Sequence, residues 1–137
     1  MNNIQYIIWL DDCRDPFDPK MKWVEFTTNC ILPPYRVNWV KTIEEFKDAA
    51  ITKFPDVVCL DHDLGEGESG MDAAKWLTEY CLNTGKLLPA FYSQSSNPAG
   101  QENILAILKS FRKFQMSQNK FWVFSVIYNC KKERRIQ

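Results

Sequence analysis

Two apolar runs decide what this chain can fold into. IQYIIWL at 4–10 and DVVCL at 56–60 place hydrophobic residues on both sides of an extended backbone rather than at alternate positions. A strand written that way is buried on both faces, as in a parallel sheet covered by helices. The segments between and beyond them agree. YRVNWV (35–40) alternates and reads as a strand. In KTIEEFKDAAITKF, Thr42 and Glu45 spell a capping box, Ile43, Phe46, Ala50 and Phe54 share a helical face, and Pro55 stops the helix. Gly70 precedes MDAAKWLTEYCLNTG, where Met71, Ala74, Leu77 and Cys81 form a stripe closed by Gly85. KLLPAFYS (86–93) is a fourth strand, with Pro89 at an early or edge position. Asn97 as N-cap and Pro98 at the first helical position open a helix whose stripe is Ile104, Leu108 and Phe111. KFWVFSVIY (120–128) reads as a fifth strand.

The stretch after the first strand differs. Pro16, Pro19, Pro33 and Pro34 break any long helix across 13–35, and KWVEFTT inside it is a candidate short strand. The expected architecture is therefore α/β: an open, mostly parallel five-stranded sheet with helices on both faces. Its first crossover helix is replaced by a loop or hairpin. A single domain over 1–130 is expected, followed by a basic tail at 131–137, where CKKERRIQ is the densest basic run and reads as a solvated terminus.

Composition removes several function classes. With 45% hydrophobic and 14% aromatic residues, 137 residues can build one core, which argues against disorder. Seventeen basic residues balance seventeen acidic ones, so the strong positive field of a broad nucleic-acid binder is missing. Five cysteines, an odd number without C-x-x-C spacing, read as reduced thiols of a cytoplasmic protein. One histidine and scattered cysteines argue against a tetrahedral zinc site. The N-terminal residues show no signal-peptide pattern, and no apolar run reaches the roughly 20 residues of a membrane span.

In open parallel sheets, ligands sit at the carboxyl ends of the strands. Asp11, Asp12 and Arg14 follow the first strand, Asp61, His62 and Asp63 the third, and YSQSSNPAG the fourth. Carboxylates that converge must be protonated or neutralised, and a hard divalent cation such as Mg²⁺ or Mn²⁺ is the simplest neutraliser. Asp11, Asp12 and Asp61 are the candidate ligands, with Asp61 also a candidate nucleophile. Asp63 is either a ligand or the cap of the following turn. His62, the single histidine, is either a packed residue or an acid–base catalyst. The helix start at Asn97 offers backbone N–H groups to an anion, and Gly100 leaves room for close approach. Ser95 and Ser96 add hydroxyls, and Arg14 either pairs with phosphate or neutralises Asp12 or Asp15. Trp23, Phe26 and Tyr35 either pack their loop onto the core or cover a base or partner.

Taken together, WLDDCRDP, CLDHDLG with Gly70 downstream, and QSSNPAG before a helix resemble the cyclic-phosphate-processing receiver-like domains. These are relatives of the response-regulator receiver domain, found in bacteria and their phages. The likeness runs from residue 7 to about residue 111. It implies a receiver-like α/β sandwich, an acidic metal site and the handling of cyclic phosphates of nucleotides or RNA ends. By position, Asp11, Asp12 and Arg14 match the first motif, Asp61, His62 and Asp63 the second, and Ser95, Asn97, Pro98 and Gly100 the third. Two departures stand out. The third motif commonly reads His-Ser-x-Asn-Pro, and Gln94 stands at its first place here, where it can still hydrogen-bond a phosphate or a base. True receivers carry a lysine at the end of the last strand, and FWVFSVIYN has none, though Lys131 follows.

A metal-dependent phosphoesterase acting on a cyclic phosphate or cyclic nucleotide is the leading expectation, in the host cytoplasm if the chain is phage-encoded. The alternative is a nucleotide-binding or protein-interaction module, which the Gln94 substitution favours. An aspartyl-phosphate receiver modified at Asp61 ranks last, for want of the lysine.

Overall fold

The computed structural model describes residues 4–21, 34–65 and 67–136, with side chains as far as residue 118. In chain order these are β1 (Gln5–Leu10), a 3₁₀ turn (Pro19–Met21), β2 (Tyr35–Val40), α1 (Ile43–Thr52), β3 (Val57–Leu60), α2 (Gly70–Thr84), β4 (Ala90–Ser93) and α3 (Pro98–Ile136). The strands form one sheet in the order β2-β1-β3-β4, and every pairing is parallel. The local signals act as their chemistry demands. The Thr42 hydroxyl accepts from the Glu45 N–H while the Glu45 carboxylate takes the Lys41 N–H. Gly85 ends α2 at φ 75°, a left-handed cap that favours glycine.

Topology explains which face each helix covers. From β2 to β3 to β4 the chain always steps the same way across the sheet, so right-handed crossovers put α1 and α2 on one face. Tyr6, Ile8, Leu10, Val58 and Leu60 point there and pack with Ile43, Phe46, Leu77, Ile104 and Leu108 from α1, α2 and α3. The opposite face holds Ile7, Trp9, Val57 and Cys59, with Met21, Trp39 and Tyr92 against them. Helices were expected on both faces; among the described side chains, all three helices pack on one. The β1–β2 connection is the step that runs the other way, and its described part contains only the 3₁₀ turn. The candidate strand KWVEFTT lies outside the described residues.

The sheet has four described strands, not five. Residues 120–128 continue α3, which at about 1.5 Å per residue runs to about 58 Å. The β-branched and aromatic residues of FWVFSVIY suggest a strand. A strand there needs a break first, and no glycine or proline follows Gly100. The helix also runs through the stretch expected as a solvated tail. Among the described residues, no helix is long and apolar enough to cross a membrane.

Register sets the site. Leu10 lies beside Val40 and Leu60, and Leu60 lies beside Ser93. Asp11, Asp61 and Gln94, each the next residue in its chain segment, therefore leave the sheet at the same edge.

Candidate active site

Asp11 is fully buried and closes the turn after β1. Its Oδ1 accepts the N–H groups of Cys13 at 3.0 Å and Arg14 at 2.8 Å. Two indoles brace that turn from the sheet side. Trp39 Nε1 donates to the Asp11 carbonyl at 2.7 Å, and Trp9 Nε1 donates to the Arg14 carbonyl at 2.9 Å. The folded-back turn sends the Arg14 side chain over the rim. Its Nη1 lies 3.4 Å from Asp61 Oδ1, 3.2 Å from the Gln94 carbonyl and 3.8 Å from Asp11 Oδ2. Its Nη2 donates to Ser96 Oγ at 2.8 Å. One guanidinium thus touches all three strand-end segments.

Asp61 is buried at the end of β3, where its Oδ1 also accepts the His62 N–H at 2.9 Å. Its acid is pushed up to about 6, first by burial and next by the Asp11 charge. Arg14 and the His62 N–H pull the other way but do not cancel the rise. Close packing fixes this segment: Gly70 at the start of α2 donates to the His62 carbonyl at 2.8 Å, and a Cβ on Gly70 would collide with the Asp61 carbonyl oxygen. Here a glycine is required by space rather than by backbone angle.

The His62 ring lies on Gly100, where a Cβ would run into its carbons and come within 2.8 Å of Nδ1. The small residue at the start of α3 thus seats the imidazole, a role different from the ligand approach expected of Gly100. Nδ1 pairs with the exposed Asp63 carboxylate at 2.9 Å. A carboxylate on one ring nitrogen orients the ring and leaves Nε2 as the nitrogen able to exchange a proton with a ligand.

The segment after β4 splits into a lower and an upper part. Gln94 and Ser95, both expected to meet phosphate, are buried beneath the rim. Gln94 Nε2 donates to the Leu10 carbonyl at 3.0 Å and reaches Asp11 Oδ2 at 3.4 Å. Both partners are acceptors, which fixes the amide orientation; Oε1, on the other side, is buried without a hydrogen-bond partner. Ser95 Oγ accepts the Asn97 N–H at 3.1 Å. Ser96 is exposed and faces Arg14. Asn97 Oδ1 caps the Gly100 N–H at 3.1 Å, and Pro98 has no N–H, so the first turn of α3 keeps fewer amides for an anion than its sequence suggests.

The ligand atoms of Asp11, Asp12 and Cys13 lie within 4.8 Å of one another, with Asp12 and Cys13 exposed. The Cys13 thiol is pushed up by desolvation and then by Asp11 and Asp12, so it stays protonated and is a poor ligand. What remains is a set of hard oxygens. One guanidinium faces Asp11 and Asp61, with Asp12 beside Asp11, so the rim carries more negative than positive charge, and Asp61 resists ionising. That surplus fits an oxygen-seeking divalent cation. The indole braces, the Gly70 and Gly100 contacts and the neighbouring Cys13 escape sequence reasoning, because each depends on which faces meet across the sheet; alternation in YRVNWV does, however, put Tyr35, Val37 and Trp39 on one face.

A family model described as "Cyclic-phosphate processing Receiver domain" matches residues 6–110. Among solved structures, the chain is similar to a fusion protein containing amino acids 181–211 of the yeast Spc42 trimeric coiled coil. Sequence identity is 18% and the TM-score 0.51, over 96% of this chain and 92% of that one, a likeness of fold. A comparison with curated proteins gave no match.

Proposed function

The chain belongs to the cyclic-phosphate-processing receiver family, and on that premise we propose that it binds a cyclic phosphate at the strand-end rim and opens it by hydrolysis. The observation that carries this reading is the Arg14 guanidinium, held among Asp61, Gln94 and Ser96 where three strand ends meet. Arg14 and the Ser96 hydroxyl hold two phosphate oxygens, and the amide of Ala99 at the start of α3 supports them. Asp11, Asp12 and Asp61 would hold a Mg²⁺ or Mn²⁺ ion, which would supply Lewis-acid polarisation of the phosphate and a lowered pKa for water. His62, turned by Asp63, takes the proton of the attacking water through Nε2. Water oxygen bonds to phosphorus, one ring P–O bond breaks, and the freed ribose oxygen takes a proton. The product is a phosphomonoester beside a free hydroxyl.

The family reading points to a small nucleotide or an RNA end with a cyclic phosphate, and the balance of seventeen basic and seventeen acidic residues speaks against broad nucleic-acid binding. The test is turnover of 2′,3′-cyclic nucleotides and of RNA ending in a cyclic phosphate, with Mg²⁺ or Mn²⁺. Asp61→Ala and His62→Ala should both lose it, and wild-type protein no faster than Asp61→Ala would end the reading.

One observation favours a second reading, capture without cleavage. Position 94 holds a buried amide that carries no exchangeable catalytic proton and spends its N–H₂ on β1. Under this reading calorimetry detects the cyclic nucleotide and its open product with similar affinity, while no turnover follows.

A further inference from the structure

The rim holds a cation of its own. Arg14 reaches toward both buried carboxylates, the place where a divalent ion would do most to neutralise them. Its grip there is loose: 3.4 Å to Asp61 and 3.8 Å to Asp11 are longer than the roughly 2.7–2.9 Å of a strong charge-assisted bond. Its grip on the outer side, 2.8 Å to the Ser96 hydroxyl, is short. The side chain is therefore tethered at the phosphate side and leans on the acids. A guanidinium has five N–H donors and prefers an oxyanion that it can meet in a fork. Asp61 offers it only one oxygen, Oδ1, which it shares with the His62 N–H.

We propose that Arg14 couples the two ligands of the rim: it stands in for the metal at Asp11 and Asp61 until an anion beside Ser96 draws its guanidinium outward and opens the carboxylates to a divalent ion. This deepens the phosphoesterase reading and rests on it for the metal site. Linkage then works in both directions: phosphate tightens metal binding, and metal tightens phosphate binding by the same factor. Without an anion Arg14 partly neutralises the two acids and blocks the position between them, so the site holds metal weakly. The device keeps the rim from loading a metal, and activating water, before a substrate phosphate is present.

The experiment is a calorimetric titration of Mg²⁺ into the full chain, with and without saturating inorganic phosphate, corrected for Mg²⁺–phosphate pairing in buffer. Wild-type protein should bind Mg²⁺ at least about fivefold more tightly with phosphate. Arg14→Ala should bind Mg²⁺ tightly in both conditions, with coupling close to onefold. Arg14→Lys, which keeps the charge but not the fork, should retain only part of the coupling, and it serves if the alanine variant folds poorly. Wild-type affinity unchanged by phosphate, or full coupling in Arg14→Ala, would overturn the proposal while leaving the metal site standing. Absence of Mg²⁺ binding in every variant and condition would overturn the metal site and the coupling together.

Discussion

Asp11 and Asp61 end neighbouring parallel strands in register, both buried, both next to a leucine, and yet they are held differently. Asp11 is built into its loop: two main-chain N–H groups cap one oxygen, and an indole holds its carbonyl. Asp61 has one main-chain N–H and a distant guanidinium, and its acid rises to about 6. The lesson is that equal residues at equal register are separated by what the following turn donates. Asp11 commits Oδ1 to shaping the loop and leaves only Oδ2 for a ligand, whereas Asp61 is held by less of its own loop.

Substitutions can break this contrast from either side. The largest effect belongs to the Asp61 side, at Gly70. Gly70→Ala drives a methyl into the Asp61 carbonyl oxygen, in a segment tied down by the Asp61 N–H on the Leu10 carbonyl and the Gly70 N–H on the His62 carbonyl. A loss of at least about 3 kcal/mol is expected, read as a lower midpoint in urea unfolding. A smaller loss would mean that the β3–α2 segment yields more than the geometry allows. Asp11→Ala comes next. It strands the Cys13 and Arg14 N–H groups and frees the Arg14 side chain, at a cost of about 2 kcal/mol. It should abolish ligand binding along with the loop. Trp39→Phe keeps an aromatic ring on the sheet and under Lys41 but removes the indole donor to the Asp11 carbonyl, and about 1 kcal/mol should go with it.

The sequence carried the periodic and punctuated parts of this molecule. Continuous apolar runs gave β1 and β3, Thr42 and Glu45 gave the start of α1, and Asn97-Pro98 gave the start of α3, because each signal acts within a few residues. Strand-end logic then pointed to Asp11, Asp61 and Arg14, which do meet. Two kinds of information were not local. Which face a helix covers depends on the direction of each step across the sheet, so the one-sided packing was hidden. The fate of 120–128 is set by a competition between β propensity and an unbroken helix, and propensity alone argued for the wrong side. In the site, Gly100 reads as open space for a ligand until the His62 ring is placed on it. Gln94 reads as a rim residue until its amide is found on the Leu10 carbonyl.

The finest test of the Asp11–Asp61 contrast changes one atom. Asp61→Asn keeps the shape and the oxygen that accepts from His62 and Arg14, but removes the charge that burial and Asp11 oppose. Folded Asp61 has a raised pKa of about 6 against an ordinary 3.8, so between those values the folded state binds more protons than the unfolded state. The stability this group contributes is full below about pH 4 and is lost as pH rises toward 6 and beyond. The asparagine variant should therefore match wild type at pH 4 and exceed it at pH 7. The gain should stay under about 3 kcal/mol, the linkage value of a net rise that already includes the attraction to Arg14. Thermal melts at both pH values in metal-free buffer measure it. A divalent ion bound at Asp61 reverses the sign, because it favours the carboxylate: with Mg²⁺ and phosphate present, wild type should regain the lead at pH 7. A variant less stable than wild type at pH 7 in metal-free buffer would show that Arg14 already satisfies Asp61, and the difference between the two acids would disappear.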